Sequence, residues 1–213
     1  MKRLTENLDA IADRIRISLS AKDAAREKVL PLCRELIRYS SNTIRAIHRQ
    51  EFEQAKELLA SARKLRDKIK QVTAEWEELR YTGSVRDAQK EFAEASATLA
   101  LVLGKPLPSP EKLEVDLAAY LNGLGEAVGE LRRYLLDSMR RGDLSRGEEL
   151  LSAMDDIYSA LVTMDFPDAI TSGLRHTTDN VRGILEKTRG DLTLAVRQKD
   201  LETKIHGLEQ KQG

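Results

Sequence analysis

Apolar residues recur every three or four positions along almost the whole chain, and this spacing constrains the fold more than any other feature. The clearest stripe consists of Leu117, Leu121, Leu124, Val128, Leu131 and Leu135. Residues spaced in this way lie on one face of an α-helix. Comparable stripes occur in the flanking segments, and none of these segments shows the alternation that a half-buried strand needs. The sequence therefore predicts an all-α fold, a bundle of six or seven mostly long helices.

Composition agrees with a helical protein without disulfides or membrane spans. Aromatic residues make up only 4% of the chain, and 12 glycines and 5 prolines are too few for the turns of an all-β sandwich. Cys33 is the single cysteine, so no intrachain disulfide forms, and its place on an apolar stripe predicts a core residue. No apolar run reaches the ~20 residues that span a bilayer. We therefore expect a soluble, cytoplasmic protein.

Proline and glycine residues divide the stripes into separate helices. The clearest break lies at 104–110, and a length of 213 residues suits one domain, so we expect a single helical domain over 1–213 with this break inside it. Pro31 lies inside the first helical region and predicts either a helix start or a kink. The first region begins with the stripe Leu4, Leu8, Ile11 and Ile15. Further helices are predicted at about 51–76, about 84–103, from Ser109 to Arg141, from about 150 to Phe166, and from Asp168 past Leu201.

Two pairs of glutamates lie at helical spacing beside apolar stripes. Glu91 and Glu94 are three residues apart and Glu126 and Glu130 are four apart, so each pair shares a helix face. Carboxylates are the ligands that Mg²⁺ and Mn²⁺ prefer, and such an ion can activate water for phosphodiester cleavage. The four glutamates are therefore candidate metal ligands and catalytic residues. The alternative is a solvated face, since 33% of all residues are charged.

Three glycines accompany the second glutamate pair, namely Gly123, Gly125 and Gly129. A glycine inside a helix costs ~1 kcal/mol relative to alanine. Three of them predict a close contact with another helix or room for a ligand. A di-iron centre is not supported, because it normally needs a glutamate three residues before a histidine, and none of the three histidines has one.

Arginine residues form a row on the predicted first helix. Arg34, Arg38, Arg45 and Arg49 fall within one narrow arc, and His48 borders it. Like charges at this spacing repel one another, and the phosphates of a nucleic acid would compensate them. A solvated or intersubunit salt-bridge face is the alternative. Lys+Arg and Asp+Glu are both 35, but a net charge of zero does not exclude a polyanion when charges are segregated by helix face.

Four segments, in chain order, resemble motifs of the translin family. Residues 32–49, LCRELIRYSSNTIRAIHR, resemble the family's first long helix. Residues 90–95, KEFAEA, resemble the acidic motif of translin-associated factor X. Residues 116–132 contain the family's Asp-x-x-x-Tyr-Leu-x-Gly segment, and Arg-Gly-Asp follows at 141–143. The overall resemblance covers most of the chain and keeps the order of the motifs, and the chain resembles a compact, prokaryotic-type relative of translin or factor X.

The resemblance implies a Mg²⁺-dependent (or Mn²⁺-dependent) endoribonuclease, a seven-helix subunit and a hollow homo-octamer that encloses RNA. Factor X relatives carry catalytic carboxylates, and the two glutamate pairs match them. Glu126 departs from the pattern, because the factor X branch usually has the shorter aspartate there. The residues implied to face single-stranded or duplex RNA are Arg34, Arg38, Arg45, His48 and Arg49.

Other functions remain open at this point. A chain like translin itself would bind RNA or single-stranded DNA without cleaving it. An all-α nucleotide pyrophosphohydrolase also uses Glu-x-x-Glu helices, but its denser acidic set is not seen here, and an arginine row is unexpected for a small substrate. A purely structural scaffold would depend on neither metal nor nucleic acid.

Overall fold

The computed structural model describes residues 4–212, with side chains described up to residue 208. All regular secondary structure within residues 4–212 is helical, which confirms the predicted all-α class. Six of the helices in this range are long and three have a single turn. They are α1 (Leu8–His48), α2 (Phe52–Val72), α3 (Glu77–Arg80), α4 (Gly83–Val102), α5 (Pro110–Leu113), α6 (Leu117–Arg140), α7 (Gly147–Val162), α8 (Asp168–Thr171) and α9 (Leu174–Gln212).

Helix α1 continues through Pro31 over 41 residues, so no helix starts there. Proline lacks the N–H that would donate to the carbonyl one turn earlier, which weakens the helix at this point. Val29 and Cys33 on either side are buried in the same apolar core as Leu36. This packing on both sides of the proline explains why the helix is maintained.

Helix α2 ends at Val72, four residues before the predicted end at Trp76. The backbone N–H of Thr73 still donates to Ile69 at 3.0 Å, but that of Ala74 donates to Gln71, three residues back, so the helix tightens into a turn here. A turn follows, and Trp76 lies partly buried just before the single-turn helix α3.

Two other predicted helices are interrupted by residues with left-handed backbone. The helix predicted from Ser109 begins there, with Ser109 as the cap of α5, but Glu114 has φ 50° and ends it after one turn. Asp116 then caps α6. Near the predicted start of the last helix, Ser172 (φ 55°) and Gly173 (φ 82°) separate α8 from α9. The prediction of one continuous helix from residue 168 is therefore wrong.

Helices α4 and α6 form the centre of the bundle. Helix α4 packs between α1 and α6, α2 covers α1, and α7 and α9 pack on α6. The segment 104–110 lies between α4 and α6 in the sequence, but the two helices pack directly against each other in space. Cys33 lies in the smaller of two apolar cores, and burial raises the pKa of its thiol to about 11, so the thiol stays protonated.

Exposed apolar side chains occur at the two ends of the chain. Leu8, Ile15 and Leu19 on α1 are each more than half exposed, as are Leu194 and Leu201 on α9. Of the predicted first stripe, Leu8, Ile11 and Ile15 are helical whereas Leu4 lies in a turn before α1, and none of the four belongs to either core. None of the helices in the described part of the chain combines the length and apolarity needed to cross a membrane.

Candidate functional site

Helices α4 and α6 approach each other most closely at Gly123. A Cβ atom there would lie 2.7 Å from the carbonyl oxygen of Lys90 and 3.0 Å from the backbone nitrogen of Glu94. Backbone atoms cannot move aside without moving the helix, so a side chain does not fit at this position. At Gly125 a Cβ atom would lie 2.3 Å from a methyl group of α9, whereas at Gly129 its nearest neighbour would be 3.8 Å away. The predicted close helix contact is confirmed at the first two glycines.

This close approach brings carboxylates of two helices together. Glu91 and Glu94 of α4 and Glu126 of α6 each have an oxygen within 4.8 Å of the other two. We call these three residues the carboxylate cluster. Glu130, one turn further along α6, forms an ion pair with His48. Three of the four candidate ligands therefore converge, and the fourth lies beside them with a partner of its own.

Burial and mutual repulsion disfavour negative charge in the carboxylate cluster. Burial, followed by the charges of Glu91, Glu126 and Glu130, raises the pKa of Glu94 from its ordinary 4.5 to about 8. Burial and the charge of Glu126 also raise the pKa of Glu91. Glu94 therefore keeps its proton at neutral pH unless a further cation is present.

This donor set fits a hard divalent cation. Three carboxylates on two packed helices supply oxygen ligands only, which suits Mg²⁺ or Mn²⁺ better than the softer metals that histidine and cysteine select. A divalent cation would also replace the proton of Glu94 and relieve the repulsion that raises its pKa.

Lys90 supplies positive charge to the carboxylate cluster. Its Nζ lies 2.6 Å from an oxygen of Glu126 and 3.9 Å from an oxygen of Glu91. Burial lowers the pKa of the lysine, but the hydrogen bond with Glu126 and the charges of Glu126, Glu91 and Asp87 outweigh it, and the net pKa is raised. Sequence reasoning missed Lys90, because a lysine beside a glutamate is common in charged helices and its spacing does not show that it reaches α6.

His48 connects α1 to α6 at the edge of the carboxylate cluster. Its Nε2 is hydrogen-bonded to a carboxylate oxygen of Glu130, and its side chain is only 6% exposed. Its Nδ1 is buried without a hydrogen-bond partner in the described part of the chain. The predicted RNA contact of His48 stays a prediction, whereas the contact with Glu130 is one that the sequence did not indicate.

The arginine row lies exposed along α1 and ends near the carboxylate cluster. From Arg34 to Arg49 it extends roughly 22 Å, at the helical rise per residue. Arg38 pairs with Glu35 at 3.0 Å, and Arg49 pairs with Glu51 at 3.2 Å. Exposed pairs of this kind contribute little free energy, so their guanidinium groups can exchange partners. The C-terminal end of the row is next to His48, whose ring is hydrogen-bonded to Glu130 of α6.

Comparison with known proteins links this arrangement to one family. The chain is 31% identical over 180 residues to an uncharacterized protein of Methanocaldococcus jannaschii, covering 84% of this chain and 80% of that protein. It is 36% identical to AfC3PO, a component of the translin and factor X type, whose structure was solved in complex with duplex RNA. That comparison covers 88% of this chain and 97% of AfC3PO, with a TM-score of 0.83. The chain belongs to the translin family.

Other comparisons agree with translin-family membership at the level of the fold. A second structure of AfC3PO gives a TM-score of 0.81 at the same identity and coverage. The structure of apo-NeC3PO gives 0.75 at 18% identity and covers 91% of this chain and all of that one. No protein-family model matches the chain. The predicted membership of the translin family is thus confirmed by structure and by identity over most of the chain.

Proposed function

We propose that this translin-family chain is an endoribonuclease that uses Mg²⁺ or Mn²⁺ to cleave single-stranded RNA or one strand of an RNA duplex. The observation that carries the proposal is the convergence of Glu91, Glu94 and Glu126 within 4.8 Å between two packed helices. The substrate class is inferred from AfC3PO, which was solved with duplex RNA and is 36% identical over 88% of this chain.

The carboxylate cluster would hold the cation, with Glu130 beside it. When bound, the cation would supply Lewis-acid activation of water and stabilise charge at the phosphate. Glu94 would lose its carboxyl proton to serve as a ligand, which couples metal binding to pH. His48 orients the carboxylate of Glu130 through their hydrogen bond, as partners of metal-site residues commonly do. Gly123 keeps α4 and α6 close enough for both helices to contribute.

The arginine row would bind the RNA backbone and lead the strand to the carboxylates. Its guanidinium groups are exposed, and their present partners are weak exposed contacts. Phosphate contacts position a nucleic acid without reading its bases. We therefore expect cleavage with little sequence preference, and binding of single-stranded DNA is a further expectation of the same contacts.

We also propose that copies of the chain associate, with a homo-octamer as the assembly that the family resemblance implies. Leu8, Ile15 and Leu19 expose an apolar face on α1 that a second copy would bury. The change Ile15→Asp is expected to lower the mass measured by light scattering. Arg14→Asp, one residue away on the exposed surface, is the control and should leave the mass unchanged. An Ile15→Asp protein of wild-type mass would contradict this placement of the interface.

An RNA-binding protein without nuclease activity is the second candidate function. The ion pair between Lys90 and Glu126 favours it, because the lysine contacts oxygens that a metal ion would need. The two candidates make the same prediction for RNA binding and opposite predictions for cleavage.

The change Glu126→Gln separates cleavage from binding. Labelled single-stranded and duplex RNA are incubated with Mg²⁺, with Mn²⁺ or with EDTA, and RNA affinity is measured by fluorescence anisotropy. We expect the wild type to cleave only with metal, and the variant to cleave about a hundredfold more slowly while its RNA affinity, compared in EDTA, stays nearly unchanged. Glu111→Gln, at the exposed start of α5, is the matched control. If the wild type leaves the RNA intact both with Mg²⁺ and with Mn²⁺, the nuclease proposal is contradicted and the binding function still stands.

A further inference from the structure

Lys90 and a divalent cation would compete for the same oxygens. The ammonium group contacts Glu126 at 2.6 Å and Glu91 at 3.9 Å, and both residues belong to the carboxylate cluster. A lysine in this position neutralises part of the cluster, which stabilises the protein without metal. It also repels any cation that approaches, since like charges a few ångströms apart repel strongly in a partly buried site. Binding of a divalent cation at the cluster therefore requires the ammonium group to leave.

The side chain of Lys90 can move, but its backbone cannot. Its carbonyl oxygen lies against Gly123, where even a methyl group would be too close, so α4 is fixed at this residue. The side chain is 26% exposed and has four flexible methylene groups, which give the ammonium a path towards solvent. Once displaced, the charged group stays within reach of the site through its own tether. The anions that it could then meet are the carboxylate of Asp87, one turn earlier on α4, and a phosphate of RNA bound at the site.

We propose that Lys90 is a displaceable counter-ion, which holds Glu91 and Glu126 in the metal-free protein and moves to an RNA phosphate when a divalent cation takes those oxygens. The inference rests on the proposed nuclease function and names a positioning residue for it. It has a thermodynamic consequence that a purely structural ion pair lacks. A bound cation frees the lysine, which then contacts a phosphate of the RNA. Metal binding therefore increases the affinity of the protein for RNA, and RNA binding increases its affinity for the metal.

The first test measures metal affinity without RNA. Mn²⁺ is titrated by calorimetry into the metal-free wild type, Lys90→Met and Lys90→Arg. Lys90→Met keeps the length of the side chain and removes the competing charge, so we expect about tenfold tighter Mn²⁺ binding, whereas Lys90→Arg should remain close to the wild type. Lys105→Met, an exposed lysine in the 104–110 segment, controls for the loss of one positive charge elsewhere. Thermal denaturation verifies that each variant is folded, and Lys90→Gln replaces Lys90→Met if that protein does not fold.

The second test measures the coupling between metal and RNA. Affinity for a labelled RNA duplex is compared in EDTA and in Ca²⁺, with gels to verify that the duplex stays intact. We expect the wild type to bind RNA about tenfold more tightly with Ca²⁺, and Lys90→Met to lose most of that gain. If the wild type and Lys90→Met have equal Mn²⁺ affinity, or if Ca²⁺ increases the RNA affinity of both proteins equally, the inference about Lys90 is overturned and the nuclease proposal still stands. A wild type that binds no Mn²⁺ would instead overturn the metal site itself, and both proposals with it.

Discussion

The carboxylate cluster and the arginine row are neighbours that are built in different ways. The cluster combines side chains of α4 and α6, is partly buried, and depends on a backbone contact at Gly123. The row belongs to α1 alone, is exposed, and depends only on the helical repeat. The cluster is therefore sensitive to small changes in helix packing. The row is sensitive to the number of charges and tolerates changes in the surrounding surface.

This difference separates two kinds of substitution. A change that moves a helix should abolish metal binding and cleavage while the arginine row still binds RNA. A change that removes arginines should weaken RNA binding while the cluster still binds metal. Substitutions in the two regions should therefore have separable effects on cleavage and on RNA affinity.

Gly123→Ala is expected to have the largest effect. Its methyl group would contact the backbone of α4 at Lys90 and Glu94, so the helices must move apart. We expect cleavage to fall about a hundredfold or more, and the free energy of unfolding to fall by about 1–3 kcal/mol. RNA affinity measured in EDTA should change little. Cleavage assays, denaturant unfolding and anisotropy measure the three quantities.

Gly129→Ala is the matched control, because its methyl group has room. Alanine is the better helix former, so this variant should be as stable as the wild type or up to about 1 kcal/mol more stable, with normal cleavage. If both Gly123→Ala and Gly129→Ala lose cleavage, the loss in Gly123→Ala is not caused by altered helix packing at Gly123.

Combined replacement of Arg34, Arg38 and Arg45 by glutamine should weaken RNA binding and spare the metal site. If each arginine contacts one phosphate, the slope of log affinity against log salt for duplex RNA should fall by about 3. Cleavage at saturating RNA should stay near the wild-type rate. Replacing Arg182 and Arg189 of α9, which pair with Glu186 on the same helix and with Asp155 of α7, should leave the salt slope unchanged.

Glu94→Gln should change the pH dependence of stability in the metal-free protein. The pKa of Glu94 is raised from 4.5 to about 8 in the folded state, so unfolding releases a proton between these values. The wild type therefore loses stability as the pH rises from about 5 to 8, by on the order of 2 kcal/mol after allowance for solvent screening. Glu94→Gln has no titratable group at this position, so its stability should not show this decrease with pH.

Thermal denaturation in EDTA at several pH values measures this smaller effect. The melting temperature of Glu94→Gln relative to the wild type should rise between pH 5 and 8 and then level off. Glu57→Gln, at an exposed position of α2, is the control. A constant difference between Glu94→Gln and the wild type at every pH would contradict the raised pKa.

The sequence predicts those features that depend on one helix at a time. The all-α class, the long helices and the shared faces of Glu91 with Glu94 and of Glu126 with Glu130 follow from helical spacing. The motif segments additionally place the chain near the translin family. Helix ends are less predictable, because the chain tightens into a turn at Ala74 and Ser172 takes a left-handed conformation.

Contacts between helices are the part that single-helix patterns do not give. The hydrogen bond between His48 and Glu130 joins residues 82 positions apart, and Lys90 reaches Glu126 across 36 positions. Both depend on how α1, α4 and α6 cross, which the apolar stripes do not specify. The three glycines were a partial signal, because Gly123 and Gly125 mark the close contacts that fix the crossing.

The contact at Gly123 also affects how function can be traced among relatives. A homologue that keeps all four glutamates but has a larger residue here would carry the acidic motifs in its sequence and lack the geometry that brings them together. Such a chain would still fold as a helical bundle and keep its arginines. Position 123 should therefore be read together with the acidic positions when nucleases are distinguished from binding proteins in this family.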